Sequence, residues 1–503
     1  MRHILGSRRV EAPLGYFLLA GTAAGLALRF IGLGRQSLWV DEIITLKNSH
    51  IGGPGILTDF FTTLQGPLVS LVMHFWGALS ANDAFLRIPF AVAGALTVGA
   101  TYLLARSLCD AWTARHTLFL VALSPMLIWY SQEIRGYSFV VLFSVLMTHF
   151  FVQWLARPTS RHALFYGLTI FAGLISNLSA VFVVASHLIY MFITPARRKI
   201  IPRWAVTVFI VLLVFSPWVR EIIERSSRAD APVVSGEVAM GGGGASLATV
   251  PYAYFTYGLG YSLGPSVREL QSDRWGAVRA NAGWIVLGCV VLAIPVVAGI
   301  LALYRVDGNL LTLLTVWAVV PVLAAAMLSA VGLKAFNARY GLVALPACAL
   351  LAGRGLAAIT RTRFWPFVLA FAALTCVSLY NYFTVPAYQK EDARAAARFI
   401  RENIRGGDVV VAAYTGEALE HYLKGTAQVG FFEARDIVSA EAMEARCREI
   451  ADQGERVWLA LCREWMIDKR GVIKTWFDSN RTAVAHGDFP GIRVYLYQGR
   501  GEQ

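Results

Sequence analysis

Apolar runs close to or above the roughly 20 residues that cross a bilayer recur through the first three quarters of the chain, separated by short polar connections. The pattern predicts helices over approximately 14–33, 87–106, 116–131, 137–156, 162–177, 179–194, 204–220, 282–304, 309–331, 340–358 and 364–383. The stretch from Gly66 to Leu79 is also apolar. At about fourteen residues it is short for a crossing and suits a helix lying in the membrane interface. The first run, Leu14 to Leu33, follows Met1-Arg2-His3 in the manner of a secretion signal, but it is too long for a signal core and no small-residue cleavage site follows it. It is read as a retained first membrane helix.

From about Tyr388 the pattern changes. Glu391 to Ile404 has helical periodicity and ends at Gly406-Gly407; Asp408 to Tyr414 is strand-like; a helix is predicted around Glu417 to Lys424 and a short apolar run at Val429 to Phe432. Ala440 to Gln453, Arg456 to Leu461 and Ile492 to Tyr497 continue the alternation, which predicts a soluble α/β domain of about 115 residues. The expected architecture is therefore a polytopic α-helical membrane portion over 1–387, with about eleven helices, followed by an α/β domain over 388–503. No internal repeat stands out, which counts against an inverted-repeat transporter.

Composition and charge refine this picture. Of the 503 residues, 56% are hydrophobic and 15% charged, so a membrane class is expected throughout the first part. The net charge of +13 could suggest nucleic acid, but the basic residues sit in short clusters between apolar runs. Arg2, Arg8 and Arg9, then Arg106 and Arg115, Arg157 and Arg161, Arg197 to Lys199 with Arg203, Arg305, and Arg354 with Arg361 and Arg363 fall in every second connection. The positive-inside rule makes those connections cytoplasmic, with the N-terminus inside and the C-terminal domain outside. Nucleic acid is not expected as a partner.

This topology puts distinctive residues outside. The first outward loop, about 34–86, carries Asp41 and Glu42 and then Gln65-Gly66-Pro67. A short second connection runs Trp129-Tyr130-Ser131-Gln132-Glu133-Ile134-Arg135-Gly136-Tyr137, and a third loop, 221–281, holds Gly241 to Gly244 followed by Tyr252, Tyr254, Phe255, Tyr257 and Tyr261. The glycines predict a mobile segment. The aromatics are either a headgroup belt or a lid over a lipid-linked substrate. Cys447 and Cys462 lie in the outward domain, where either a disulfide or simple packing would account for them. The remaining cysteines, Cys109, Cys289, Cys348 and Cys376, do not suggest metal ligation.

An unpaired carboxylate in hydrocarbon costs several kcal/mol, so adjacent acids at a membrane boundary face either water or a site. Asp41-Glu42 is open to both a chemical reading and a plain helix-start reading, since Asp caps helices and Glu favours a first turn. The domain after Tyr388 has no G-x-G-x-x-G or Walker pattern, so nothing supports a nucleotide cofactor.

Several short motifs, in order, carry a family resemblance. They are Trp39-Val40-Asp41-Glu42 after the first helix, Gly66-Pro67-Leu68, Phe85-Leu86-Arg87-Ile88-Pro89, Ser124-Pro125 with Tyr130 to Arg135, Arg339-Tyr340 with Leu345-Pro346, and the join Lys390-Glu391-Asp392-Ala393-Arg394. With the motifs through Leu345-Pro346 covering about residues 10–360, the chain resembles the bacterial polyprenyl-phosphate-dependent glycosyltransferases of the GT-C superfamily, the group similar to protein O-mannosyltransferases and lipid A aminoarabinose transferase. Many relatives have His-Pro-Pro or Glu-Lys-Pro where this chain has Gln65-Gly66-Pro67, so a metal- or phosphate-binding role there does not carry over to Gln65.

The resemblance implies sugar transfer from a polyprenyl-phosphate donor to an extracytoplasmic lipid, glycan or protein, in a bacterial inner membrane, usually with inversion. Asp41 is then the general base and Glu42 either orients the acceptor or holds Asp41. Cations at the outer face would stabilise the leaving phosphate, with Lys334 and Arg339 first and Arg135 next; headgroup snorkelling is the alternative for each. Glu133 either binds acceptor or pairs with Arg135, and Tyr340, Tyr257 and Tyr261 complete the candidate substrate contacts. A divalent metal is left open. The competing functional classes are a transporter of lipid-linked or polar substrates, which would place ionisable groups near the midplane, and a membrane sensor, which leaves the acidic pair without a role.

Overall fold

The computed structural model describes residues 12–49, 51–53, 66–228, 246, 248–332, 336–359, 365–413, 416–432, 434–464 and 468–499. Lys334, Gln65 and the Gly241 to Gly244 segment lie outside the described residues. Helices occupy each of the segments predicted from apolar periodicity, and the protein is a multi-pass helical membrane protein with a small C-terminal sheet. Among the described residues seven helices are long and apolar enough to cross a membrane, or eight if the bent pair Ala111–Leu123 and Pro125–Ser131 makes one span. Gly15–Phe30 and Ala180–Ile193 are apolar but shorter, so length alone does not reach the expected count of about eleven. Pro67–Trp76, the segment expected in the interface, forms a ten-residue helix.

The bend of 54° between Ala111–Leu123 and Pro125–Ser131 has a local cause. Pro125 lacks the N–H that would bond the Val121 carbonyl, and the break releases the Ala122 carbonyl as well. Arg29, fully buried near the end of Ala12–Phe30, donates from Nη2 to the Val121 carbonyl at 3.4 Å and from Nη1 to that of Ala122 at 3.3 Å. A cation at a helix C-terminus opposes the negative end of the dipole. The Arg29 Nε also donates to Ser131 Oγ at 3.2 Å, which ties the broken helix to the first span and aims the following turn, 131–137, at one end of the bundle.

The C-terminal unit is a five-stranded sheet of order β2-β1-β3-β5-β4, with β1 Val409–Ala412, β2 Val429–Phe431, β3 Arg456–Cys462, β4 Arg481–Phe489 and β5 Ile492–Gly499. β1 pairs in parallel with β2 and β3, as short strands joined by the helices Gly416–Leu423 and Ala440–Asp452 must. β4 and the helix Val472–Asn480 before it were not foreseen from the sequence. β4 is an edge strand exposed at Thr482 to Val484 and bulged between Ala483 and Ala485, so its alternation is confined to Ala485 through Phe489. No disulfide joins Cys447 to Cys462. Period-two alternation along β3 sends Cys462 to one face of the sheet, with Trp458 and Ala460, while Cys447 packs on the other face with Val457, Leu459 and Leu461.

The sheet does not stand apart from the membrane portion. Leu38, Ile43 and Leu46, in the connection after the first helix, pack with Val69 and Met73, with Leu86 and Phe90, with Ile134, and with Ala396, Ile400, Leu419 and Trp458 of the C-terminal unit in one continuous apolar core. Burying that surface on both sides joins loop and sheet.

Candidate active site

The short helix Val40–Lys47 begins after Trp39, whose extended backbone starts the turn, and it places Asp41 and Glu42 in its first turn. Negative charge is favoured there by the helix dipole. Successive helical residues diverge by about 100° around the axis, so the two acids face different surroundings. Asp41, with 28% of its side chain exposed, meets Arg135 Nη2 at 3.8 Å and Arg339 Nη1 at 3.7 Å. Glu42 is fully buried.

The Glu42 carboxylate is fully engaged. Arg87 donates from Nε to Oε1 at 2.9 Å and from Nη2 to Oε2 at 2.7 Å, and the Ile134 N–H donates to Oε1 at 2.9 Å. The Trp39 N–H completes the set at 3.3 Å, the reach-back of a third-position Glu to its helix start. Burial by itself pushes the Glu42 carboxyl up; the Arg87 charge and these hydrogen bonds outweigh it and hold the group below the usual carboxylate range. The Arg87 guanidinium also donates to the carbonyls of Leu33, Gln36 and Ser37, so a single buried pair fastens the whole loop entering the Asp41 helix. Of the two roles expected for Glu42, orienting the acceptor or holding Asp41, the geometry, with every oxygen bonded and no exposure, is compatible with the second.

Arg135 and Arg339 come from unrelated parts of the chain. Arg135 lies in the 131–137 turn and also donates from Nη1 to Thr45 Oγ1 at 3.2 Å, one helical turn beyond Asp41. The turn comes close to the Ser176 carbonyl: a Cβ on Gly136 would lie 2.0 Å from that oxygen, and one on Gly66 2.7 Å, so both glycines are required by close approach. Arg339 opens the turn Ala338–Ala344, which Asn337 starts by accepting the Arg339 N–H on Oδ1 at 3.1 Å. Its guanidinium lies 5.7 Å from the Tyr137 ring and 5.5 Å from that of Tyr340. The Arg339 Nε is buried with no hydrogen-bond partner among the described residues.

The tyrosines brace this turn. Tyr257 donates to the Ala338 carbonyl at 2.8 Å, and Tyr261 donates to Asn337 Oδ1 at 3.1 Å and lies 3.2 Å from the Tyr130 hydroxyl. Two guanidiniums flank one carboxylate, a local excess of positive charge. Both contacts exceed hydrogen-bond length, so Asp41 keeps lone pairs for a proton and Arg339 keeps its Nε donor for an anion.

A second group adjoins the first. Glu133, 2% exposed at its side chain, accepts on Oε1 from Trp129 Nε1 at 2.8 Å and from Lys390 Nζ at 2.9 Å. The ammonium of Lys390 lies 5.7 Å from the Trp39 ring and 5.8 Å from that of Trp129. Lys390 stands in the connection that leads into the C-terminal unit, which is clamped to the first loop. Ser37 Oγ donates to the Glu391 carbonyl at 2.7 Å, the Leu38 N–H donates to Tyr422 Oη at 2.8 Å, and Arg394 meets Asp83 at 3.2 Å. Sequence reasoning did not assign roles to Arg87, Lys390 or Trp129. For Arg87 a signal existed, a charge at the start of an apolar run ahead of Pro89.

Among the described residues, no group of three or more His, Cys, Asp or Glu side chains lies close enough to hold a metal ion. The neighbours of Asp41 are cations rather than further carboxylates, a poor ligand set for a divalent ion, and no chemical step is assigned to one.

Comparison with solved structures decides the architecture. ArnT from Cupriavidus metallidurans bound to undecaprenyl phosphate superposes with a TM-score of 0.60 at 13% identity, covering 96% of this chain and 98% of that one. Its apo form gives 0.62 at 12% identity, covering 97% and 98%. The fold is of the GT-C type. The Archaeoglobus fulgidus oligosaccharyltransferase, in complex with Zn and sulfate, shares the GT-C arrangement with a TM-score of 0.54 at 15% identity, covering 96% of this chain and 73% of that one. The family model of the dolichyl-phosphate-mannose-protein mannosyltransferases matches residues 65–220, from just before the Pro67–Trp76 helix into the helix that begins at Ile201. No curated protein matches the chain in sequence. The resemblance read from the short motifs holds.

Proposed function

We propose that the protein transfers a sugar from a polyprenyl-phosphate donor to an extracytoplasmic acceptor, with inversion and with Asp41 as general base. The observation that carries this reading is the convergence of Asp41, Arg135 and Arg339 from three distant segments within 4 Å contacts. The acceptor oxygen or nitrogen forms the new bond to the anomeric carbon while its proton passes to Asp41. The bond from the anomeric carbon to the phosphate oxygen breaks, and its electron pair leaves with the lipid phosphate. The Arg339 and Arg135 guanidiniums stabilise that charge through charge-assisted hydrogen bonds, with the unpartnered Arg339 Nε available to one phosphate oxygen. Lys334, close by in sequence, adds a further cation.

In this reading the chain crosses the inner membrane of a bacterium about eleven times, with Gly15–Phe30, Ser160–Ser176 and Ala180–Ile193 among the spans despite their length. The N-terminus is cytoplasmic, and residues 388–503 form an outward domain over the site. ArnT, the structural neighbour with undecaprenyl phosphate bound, supports a donor of that class. The test is to incubate the purified protein with a panel of undecaprenyl-phosphate sugars and look for release of undecaprenyl phosphate or for binding; absence of both with a well-folded protein would overturn the reading.

A further inference from the structure

The Glu133 carboxylate is satisfied on one side only. Oε1 receives both Trp129 Nε1 and Lys390 Nζ, whereas Oε2 is buried with no hydrogen-bond partner among the described residues. An orphan oxygen in a buried position is costly and calls for an explanation, of which a bound ligand, ion or water is one. A second orphan belongs to the same group: Trp39 Nε1 is a buried donor with no partner, on the ring that lies beside the Lys390 ammonium. One unfilled acceptor, one unfilled donor and two indole rings thus gather around a single buried cation.

We propose that Glu133, Lys390, Trp39 and Trp129 form a sugar-ring subsite beside Asp41, shared between the membrane portion and the C-terminal unit. The chemistry that matches is a ring with an apolar C–H face and several hydroxyls. An indole packs on the C–H face, a hydroxyl donates to Glu133 Oε2, and another accepts from Trp39 Nε1. The Trp129 ring is held at 4.5 Å from that of Tyr382 and 5.6 Å from that of Tyr261, so its orientation is set before any ligand arrives. Lys390 is a positioning residue, since its ammonium fixes Glu133 Oε1 and leaves Oε2 for the ligand. Its own N–H donates to Gln36 Oε1 at 3.2 Å, and the C-terminal unit that follows it is docked on residues 37 and 38. The C-terminal unit is on this account part of the recognition machinery rather than a cover.

This inference rests on the proposed sugar transfer, and the matching sugar belongs either to the donor or to a glycan acceptor. The test uses bare undecaprenyl phosphate and a panel of undecaprenyl-phosphate hexoses and pentoses, titrated against the wild type, Glu133→Gln and Trp39→Phe, with acceptor KM measured where turnover is found. Selective loss of affinity for the sugar-bearing lipid, by about tenfold, with affinity for the bare lipid kept, supports the subsite on the donor. Unchanged donor affinity with a raised acceptor KM supports it on the acceptor. Equal weakening of bare and sugar-bearing lipid, or no change in any of these, overturns it and leaves the Lys390–Glu133 pair as a strut between domains. Trp39→Phe keeps an aromatic face, though a smaller one, and removes the N–H donor, so the test survives if Glu133→Gln folds poorly. A wild type that binds none of the lipids overturns the sugar-transfer reading itself, an outcome distinct from all of these.

Discussion

Arg87 grips Glu42 with two hydrogen bonds, Nε to Oε1 at 2.9 Å and Nη2 to Oε2 at 2.7 Å, in a pair with almost no solvent exposure. This buried pair makes the neighbouring Asp41 available. With Glu42 locked inward, the helix from Val40 to Lys47 can present Asp41 only toward Arg135 and Arg339. Removing one partner leaves an uncompensated buried charge. Arg87→Met is therefore expected to cost about 3–5 kcal/mol of stability. Thermal unfolding in detergent measures it, and a variant as stable as the wild type would remove Glu42 from its positioning role.

Asp41→Asn is expected to lower turnover by about 10²–10⁴-fold, because the amide keeps the size of the carboxylate and cannot take the proton. Donor affinity should change little and the melting temperature should hold, in contrast to Arg87→Met. Single-turnover kinetics with a labelled donor separate the two quantities. Near-normal turnover would send the search for the base elsewhere, and a matching loss of donor affinity would make Asp41 an organiser of the site.

Arg339→Ala should act on both steps. A charge-assisted contact to the lipid phosphate exists before the reaction begins and strengthens as the leaving group gains charge. Affinity for undecaprenyl phosphate is expected to fall about tenfold or more, with a further loss in turnover. Binding to the bare lipid as strong as that of the wild type would free Arg339 from the phosphate.

Acid should loosen the loop and the C-terminal unit together. For Glu42 and Glu391, burial pushes the carboxyl up and the facing arginine, Arg87 or Arg463, outweighs it, so both sit below their ordinary value of 4.5. A group with a depressed folded pKa binds fewer protons folded than unfolded, so its contribution is complete above pH 4.5 and is lost as the pH falls through the lowered value. The unfolding temperature should begin to drop below about pH 4.5, and Glu391→Gln should flatten that slope. A flat profile down to pH 3 in the wild type would contradict the two pairs.

Tyr422 accepts the Leu38 N–H and donates to Asp83, bridging the C-terminal unit to the loop before Asp41. Tyr422→Phe should cost about 1–3 kcal/mol, the range for a buried donor left without its acceptor. Amide hydrogen exchange across residues 36–47 should quicken while the sheet core keeps its protection. Unchanged exchange there would mean that docking does not hold the loop.

Much of the helical framework was legible in the chain, because lipid and water impose a strong contrast on every run of residues long enough to cross. The apolar helices and the basic connections between them follow from that local contrast; the bend at Pro125, inside a stretch read as one helix over 116–131, does not. Asp41, Arg135 and Arg339 were legible as candidates because charges at a membrane boundary need a reason. Partnership was not. Asp41 and Glu42 look equivalent as neighbours, and only the packing of the loop against Arg87 and Ile134 sends one into the core and leaves the other at the site. Lys390 carries no local sign that it meets Glu133, and the edge strand β4, bulged near its middle, shows period-two alternation only from Ala485 to Phe489. Periodicity records what a residue faces within a few positions of itself; ion pairs, orphan donors and docked domains depend on which distant segments share the same volume, and that is set when the cores close.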